Sequence, residues 1–352
     1  MFSDNHTIQH RNRCSCLLSF IHTLPYHVLW KTFPRIRAFI TILFLTACCP
    51  DALPEAVRLH SHKSASYPIT ISSAEGSALD IFTFRDDRLR RLDSYQRIEE
   101  FSGNTAYVES TSGNRIFFFC LSAKRNRYEW AEMNSYFSLG KVRFDLENET
   151  RECLTQTGEC RITTGENGKE TSLKPLAASV GIKCISCDFS GTPYAGKDMT
   201  DVRAYLTNVN ATYGLLDSVA SSPERIVNQG MLNDNDLKAF RESDIIYSEL
   251  AGRLGTSTIR PGKTFLCYPN QGEENSIGCP CTRLVIEGKI DGLTYYWPIS
   301  IKGIERGCRY NYDILIRRKG TSDPDIPINL EECEIQFDIK PWNEKEEYGV
   351  RF

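Results

Sequence analysis

The chain has 352 residues, a formal net charge of −3 and an apolar share of 41%, the make-up of an ordinary globular protein and not of a disordered, coiled or nucleic-acid-binding one. All six histidines fall at or before His62. The body downstream therefore has no imidazole, which excludes Ser/His/Asp and Cys/His catalysis, imidazole base chemistry and His-containing zinc sites there.

At the N-terminal end, residues 38–47 (AFITILFLTA) form an apolar run of 10 residues. A membrane-spanning helix needs about 20, whereas the apolar region of a secretory signal needs about 7–15. Lys31, Arg35 and Arg37 precede it as the positive region. Leu45-Thr46-Ala47-Cys48 resembles a bacterial lipobox, so residues 1–47 are expected to be a leader. Cys48 is the expected lipidation site, carrying a covalent lipid as the chain's only attached group. Cys49 fits less well, because Thr46 would then stand where an aliphatic residue is wanted. The leader begins about 30 residues too early for one of ordinary size, so translation is expected to begin near Val28 or Leu29, the alternative being an amphiphilic extension. Residues 48–66, with Pro50, Pro54, Ser61, Ser64 and Ser66, read as a tether.

Strand signals then dominate. Residues 67–72 (YPITIS) alternate, and 78–87 run into a turn with 92–98 as hairpin partner. Residues 114–123 (NRIFFFCLSA) are an apolar run of the sandwich-core kind. The spacing of Trp130, Met133 and Phe137 predicts a helix over 127–139. Residues 180–189 and 201–211 read as further strands. Ser222-Pro223 predicts a helix start, and 234–243 another short helix. Residues 283–301 form a hairpin with Asp291-Gly292 at the tip. Tyr310, Tyr312, Ile314 and Ile316 share one strand face, as do Ile335, Phe337 and Ile339. Short strands with frequent turn signals and no βαβ rhythm predict an all-β chain of two antiparallel β-sandwich domains, 67–217 and 218–352.

Several motifs invite chemistry. Cys153 and Cys160 bracket a Thr-Gly turn and could close a small disulfide loop in an exported chain. Cys184, Cys187, Cys279 and Cys281 supply four thiols, but residues three apart on a strand point to opposite faces, so no metal site is expected. Residues 257–264 (STIRPGKT) lack the first glycine of a phosphate-binding loop, and a strand follows in place of a helix. Residues 233–240 lack the central glycine and terminal glutamate of a calcium loop and read as a helix cap. Residues 88–97 are densely basic, which alternating strand or turn exposure explains.

The segments LDIFTFRDDRLRRLDSYQRI, FSGTPYAGKDMTDVRAYLTNVNATYGLL, TRLVIEGKIDGLTYYWPISIKGIERGCRYNYDILIRRKGTSDPD and IQFDIKPWNEKEEYGVRF, following a lipobox, resemble the fimbrillin-like fimbrial subunits of Bacteroidales, in particular the anchor or minor-subunit branch. The likeness runs over most of residues 70–352, with Tyr295 to Ile299, Arg306, Tyr310 and Gly320 to Asp325 as its most specific part. Gly307-Cys308 and Lys174-Pro175 depart from the pattern without disturbing the fold. The resemblance implies two transthyretin-like sandwiches, export to the outer membrane and cell surface, and partnership with other fimbrial subunits. In polymerising members an Arg-specific protease removes the first strand, and the groove accepts a strand from the next subunit. Here the loop after the expected first strand, Ser73 to Ser77, has neither Arg nor Lys. Arg58 is a weak processing candidate, since cutting there trims only the tether. The expectation is an anchor that keeps both lipid and first strand. The alternatives are a non-polymerising surface lipoprotein that binds glycan or host protein, with Tyr295, Tyr296 and Trp297 as stacking residues, and a carboxylate glycosidase. No catalytic residue is assigned.

Overall fold

Residue alternation builds the first layer. In β4 (Thr105–Thr111) buried and exposed residues alternate along the whole strand, and β1 (Ser64–Ser72) buries Tyr67, Ile69 and Ile71 while Ser66, Pro68 and Thr70 face out. With β8 (Lys169–Ser172) these form a three-stranded sheet in the order β4-β1-β8. The computed structural model describes residues 64–72, 77–122, 130–216, 222–274, 276, 278–328 and 333–342. The leader, Cys48, Arg58 and the loop residues 73–76 lie outside them. β1 starts at Ser64, three residues inside the segment read as tether.

The facing sheet has the order β3-β2-β5-β7-β9, made of β2 (Ser77–Arg85), β3 (Leu92–Phe101), β5 (Arg115–Ser122), β7 (Gln156–Ile162) and β9 (Lys174–Pro175). β2 and β3 pair as the expected hairpin. β5 is buried at every position, and the reason is a core on each side. Phe117, Phe119 and Leu121 pack with Tyr67, Ile69 and Ile71. Ile116, Phe118 and Cys120 belong to the larger core that continues into the second half of the chain. A strand covered on both faces needs an unbroken apolar run. Short β6 (Arg143–Asp145) pairs outside this sheet.

The second sandwich has two four-stranded sheets. One is β16-β10-β19-β20, from β10 (Ala178–Cys187), β16 (Lys263–Cys267), β19 (Cys308–Ile316) and β20 (Cys333–Pro341). The other is β15-β11-β17-β18, from β11 (Met199–Thr207), β15 (Tyr247–Leu254), β17 (Thr282–Ile290) and β18 (Leu293–Ile301). The ladders β12 (Val209–Asn210) with β14 (Ile226–Val227), and β13 (Thr212–Gly214) with β6, complete the pairing. Asp291 and Gly292 take φ of 49° and 82° at the β17–β18 tip, the left-handed pair that a two-residue hairpin turn requires. Most pairs are antiparallel, but β1–β8 and β10–β19 are parallel.

Three expectations differ from what is seen. The sheet pairing does not follow a boundary at 217/218. β10 and β11, both before it, pair with β16, β19, β15 and β17, and the handover from one sandwich to the other runs through Leu176 and Ala177. Both residues are buried, so no polar or Gly-rich linker marks the place. The helix over 127–139 is not formed in its described part. Ser135 is extended, with φ −154° and ψ 162°, because Leu92 N–H donates to the Asn134 carbonyl at 2.9 Å and Arg91 bridges Ser135. A 3-10 turn, Tyr136–Lys141, follows. Trp130 and Met133 are buried, whereas Phe137 is 60% exposed. Ser222-Pro223 begins no helix; β14 follows it. The α-helix Asp234–Ala239 does form, and Asn233 caps it by accepting from Asn235 N–H at 2.9 Å. Ile335, Phe337 and Ile339 do share a face of β20, opposite Ile314, Tyr312 and Tyr310, but Phe337 and Ile339 are 65% and 48% exposed while Tyr312 and Tyr310 are buried. β20 is the edge of its sheet, and an apolar face at an edge is covered only as far as the opposing layer reaches.

Candidate functional site: the first strand in its groove

β1 lies between two neighbours, antiparallel to β4 over Ser64–Thr70 and parallel to β8 over Ile69–Ser72, so each of its backbone edges is used over part of its length. Ile71 N–H also donates to the Asn104 carbonyl at 2.7 Å. Below it, Ile69 and Ile71 pack among Leu79, Ile81, Phe119 and Leu173, and the Tyr67 and Phe117 rings lie 5.7 Å apart. Gly168 permits this closeness, since a Cβ there would stand 2.8 Å from the Pro68 carbonyl oxygen. β1 thus fills a slot whose walls are backbone donors and acceptors and whose floor is apolar. Taken away, the same strand would leave unpaired ladder groups and an open hydrophobic channel.

Polar residues brace the slot's surroundings. Asp93 on β3 accepts from Thr111 Oγ1 at 2.7 Å and Arg115 Nε at 3.2 Å. Burial pushes its carboxyl up, but the Thr111 hydroxyl and the Arg115 guanidinium outweigh that and hold it below the usual range. Asp80 on β2 is fully buried, accepting from Tyr95 Oη at 2.6 Å and Arg97 Nη1 at 3.3 Å. Burial dominates there and raises its carboxyl. Glu149 is raised likewise by burial, although it accepts from Thr155 N–H at 2.8 Å and from Tyr268 Oη at 3.1 Å. Tyr268 lies beyond β16, so this carboxylate ties the two sandwiches. Arg306, in the β18–β19 turn, does so too. Its Nη2 donates to Thr157 Oγ1 at 2.6 Å and to the Lys174 carbonyl at 2.7 Å, and burial lowers its pKa. Neither Glu149 nor Arg306 was assigned this role from sequence; their partners are more than 100 residues away in the chain.

The other sequence candidates are dispersed. No disulfide joins Cys153 to Cys160; Thr157 and Gly158, read as a turn, lie within β7, and Cys160 is buried in the core beside β1. Cys184 Sγ donates to Asp313 Oδ1 and Cys187 Sγ to the Leu254 carbonyl, each at 3.0 Å, and Cys279 Sγ to Asn270 Oδ1 at 3.8 Å. Trp297 is fully buried, with Nε1 donating to the Arg318 carbonyl at 3.1 Å. Tyr295 packs against the core, and Tyr296 lies opposite Glu287. The three do not form one stacking surface. A hollow of about 340 Å³ lined by Asp201, Arg203, Glu249 and Glu287 lies nearby. Two of its carboxylates are ion-paired, Glu287 with Arg203 at 2.6 Å and Asp201 with Lys289 at 2.9 Å.

No protein-family model matches the chain, and a search of curated proteins finds no match. Solved structures do match. A candidate cell adhesion protein of Bacteroides eggerthii DSM 20697 superposes with a TM-score of 0.60 at 16% identity, over 79% of this chain and 96% of that one. One from Parabacteroides distasonis ATCC 8503 gives 0.60 at 12%, over 82% and 99%. A fimbrilin of Porphyromonas gingivalis W83 gives 0.58 at 12%, over 79% and 97%. The fold of this chain is therefore the all-β, fimbrillin-like one that its sequence resembles.

Proposed function

We propose that the chain is a fimbrial subunit, exported, lipidated at Cys48 and held at the outer membrane as an anchor or terminator. It joins its neighbours by strand complementation. Its fold is that of a fimbrilin and of candidate cell adhesion proteins, which supports a structural and assembly role. The observation that carries the finer reading is the seating of β1, paired with β4 on one edge and over Ile69–Ser72 with β8 on the other, above an apolar floor, together with a following loop that has no Arg or Lys. A subunit that keeps its first strand blocks its own groove and ends a fibre on that side. It can still offer a strand elsewhere.

Two measurements test this. Mass spectrometry of the mature subunit isolated from the cell surface is expected to find β1 still attached; a mature chain that begins between residues 73 and 78 would overturn retention of the strand. Metabolic labelling with a fatty-acid analogue is expected to tag the wild type and to lose the tag in Cys48→Ala. An equally tagged variant would remove the lipid anchor from the proposal.

A further inference from the structure

We propose that the turn joining β2 to β3 is a contact site for an anionic lipid surface, separate from any lipid on Cys48 and built from different residues. The turn carries Arg88, Leu89, Arg90 and Arg91. Asp87 fixes it by accepting from Leu89 N–H at 2.9 Å and Arg90 N–H at 2.8 Å. Arg90 adopts φ of 45°, a left-handed conformation unfavourable for a side-chain-bearing residue, which the surrounding bonds enforce. Tyr136 N–H donates to the Arg90 carbonyl at 2.9 Å, and the Arg91–Ser135 bridge holds the other side. The tip is therefore rigid and tied to the 3-10 turn Tyr136–Lys141.

What the tip presents is unusual for a soluble surface. Leu89 is 55% exposed and Phe137 is 60% exposed. The Arg90 guanidinium lies 5.1 Å from the Tyr136 ring centroid and 5.7 Å from that of Phe137. Tyr136 is itself immobilised edge-on against Phe84 and by donating to Glu159 at 2.6 Å. Among the described residues, Arg88, Arg90 and Arg91 form no ion pair, although Arg85 and Arg161 close by are each engaged with carboxylates. The Arg88 and Arg91 guanidinium groups, with that of Arg90 held over the rings beside them, suit phosphate oxygens. Two exposed apolar side chains beside them suit hydrocarbon. A phospholipid bilayer sets phosphate directly above hydrocarbon, an anionic one adds the net negative charge that arginines favour, and an exposed turn can enter it. A soluble polyanion would satisfy the arginines and leave Leu89 and Phe137 wet.

The test places a reporter at the tip. Leu89→Trp in the full chain, compared with the parent, is mixed with vesicles of phosphatidylcholine containing about a third phosphatidylglycerol with brominated acyl chains. The added fluorescence is expected to be quenched, and quenching is expected to vanish with pure phosphatidylcholine whose acyl chains are likewise brominated. Residues 1–63 are common to both proteins, so membrane attachment through them leaves the difference unchanged. Each arginine near an anionic surface contributes about fivefold in partitioning, so adding Arg88→Gln, Arg90→Gln and Arg91→Gln should weaken the quenching partition about a hundredfold with an unchanged circular-dichroism spectrum. Phe137→Ser should weaken it while leaving its salt dependence. The proposal is overturned if the introduced indole stays unquenched on bound protein. It is also overturned if the triple variant partitions like the parent, or if soluble heparin or an acidic protein partner occupies the tip and vesicles do not.

Discussion

Deleting residues 64–72 is expected to cost the N-terminal sandwich most of its stability, and a synthetic SASYPITIS peptide is expected to restore it. Tyr67, Ile69 and Ile71 are all buried in that sandwich's own core. Each such side chain contributes about 1.5–3 kcal/mol on burial, so the strand as a whole is worth about 5–9 kcal/mol. A domain's entire stability is about 5–15 kcal/mol. The loss also strips β4 and β8 of their shared ladder partner, adding unpaired backbone to the apolar loss. Thermal unfolding and near-ultraviolet circular dichroism should show the shortened chain losing fixed packing around Phe117 and Phe119. Adding the peptide should raise the transition in a saturable way, and a scrambled peptide should not. A shortened chain that melts like the parent would mean the groove needs no strand, and the complementation chemistry would go with it.

The second large effect is expected at Trp297. Replacing it with Ala should cost about 3–5 kcal/mol, since the indole is fully buried and leaves a cavity that rigid strands cannot close. The Arg318 carbonyl would also lose the indole N–H it accepts from at 3.1 Å. A drop in melting temperature on the order of 10 °C follows for a body of this size. Tyr296→Ala, on the opposite face of the same strand, should cost about 1 kcal/mol, within the range of a partly exposed position. Calorimetry on the pair decides what the Tyr-Tyr-Trp run does. Equal small losses would return it to the surface as a ligand platform; a large loss at Trp297 alone makes the run a core strand with one decorated side.

These two effects mark where local pattern was a good guide. The alternation of 67–72 announced which of its residues point inward, and they do. Asp291-Gly292 announced a hairpin because only residues that tolerate positive φ close so tight a turn. Asn233 announced a helix start by its own side chain. Each is a bargain struck within a few residues, and no distant partner can change it.

Other features were settled elsewhere in the chain. The run at 127–139 has helical spacing, but a β-type pairing of Asn134 and Ser135 with Arg91 and Leu92 overrides it. Periodicity of Ile335, Phe337 and Ile339 named an apolar face without saying that β20 would stand at an edge. Cys153 and Cys160 are seven positions apart in sequence, yet the Thr157-Gly158 pair between them continues as strand within β7 and Cys160 is buried in the core.

The amino-acid order alone thus determined an all-β chain, most of its strands and their hairpins, because those depend on backbone preference and period. Tertiary structure decided which strands share a sheet, so that β10 and β11 joined the later strands, and it decided that Glu149 and Arg306 would clasp the two sandwiches. Contacts between residues a hundred or more positions apart leave no local trace, because neither partner's neighbourhood in the sequence differs from that of any other buried or turn residue.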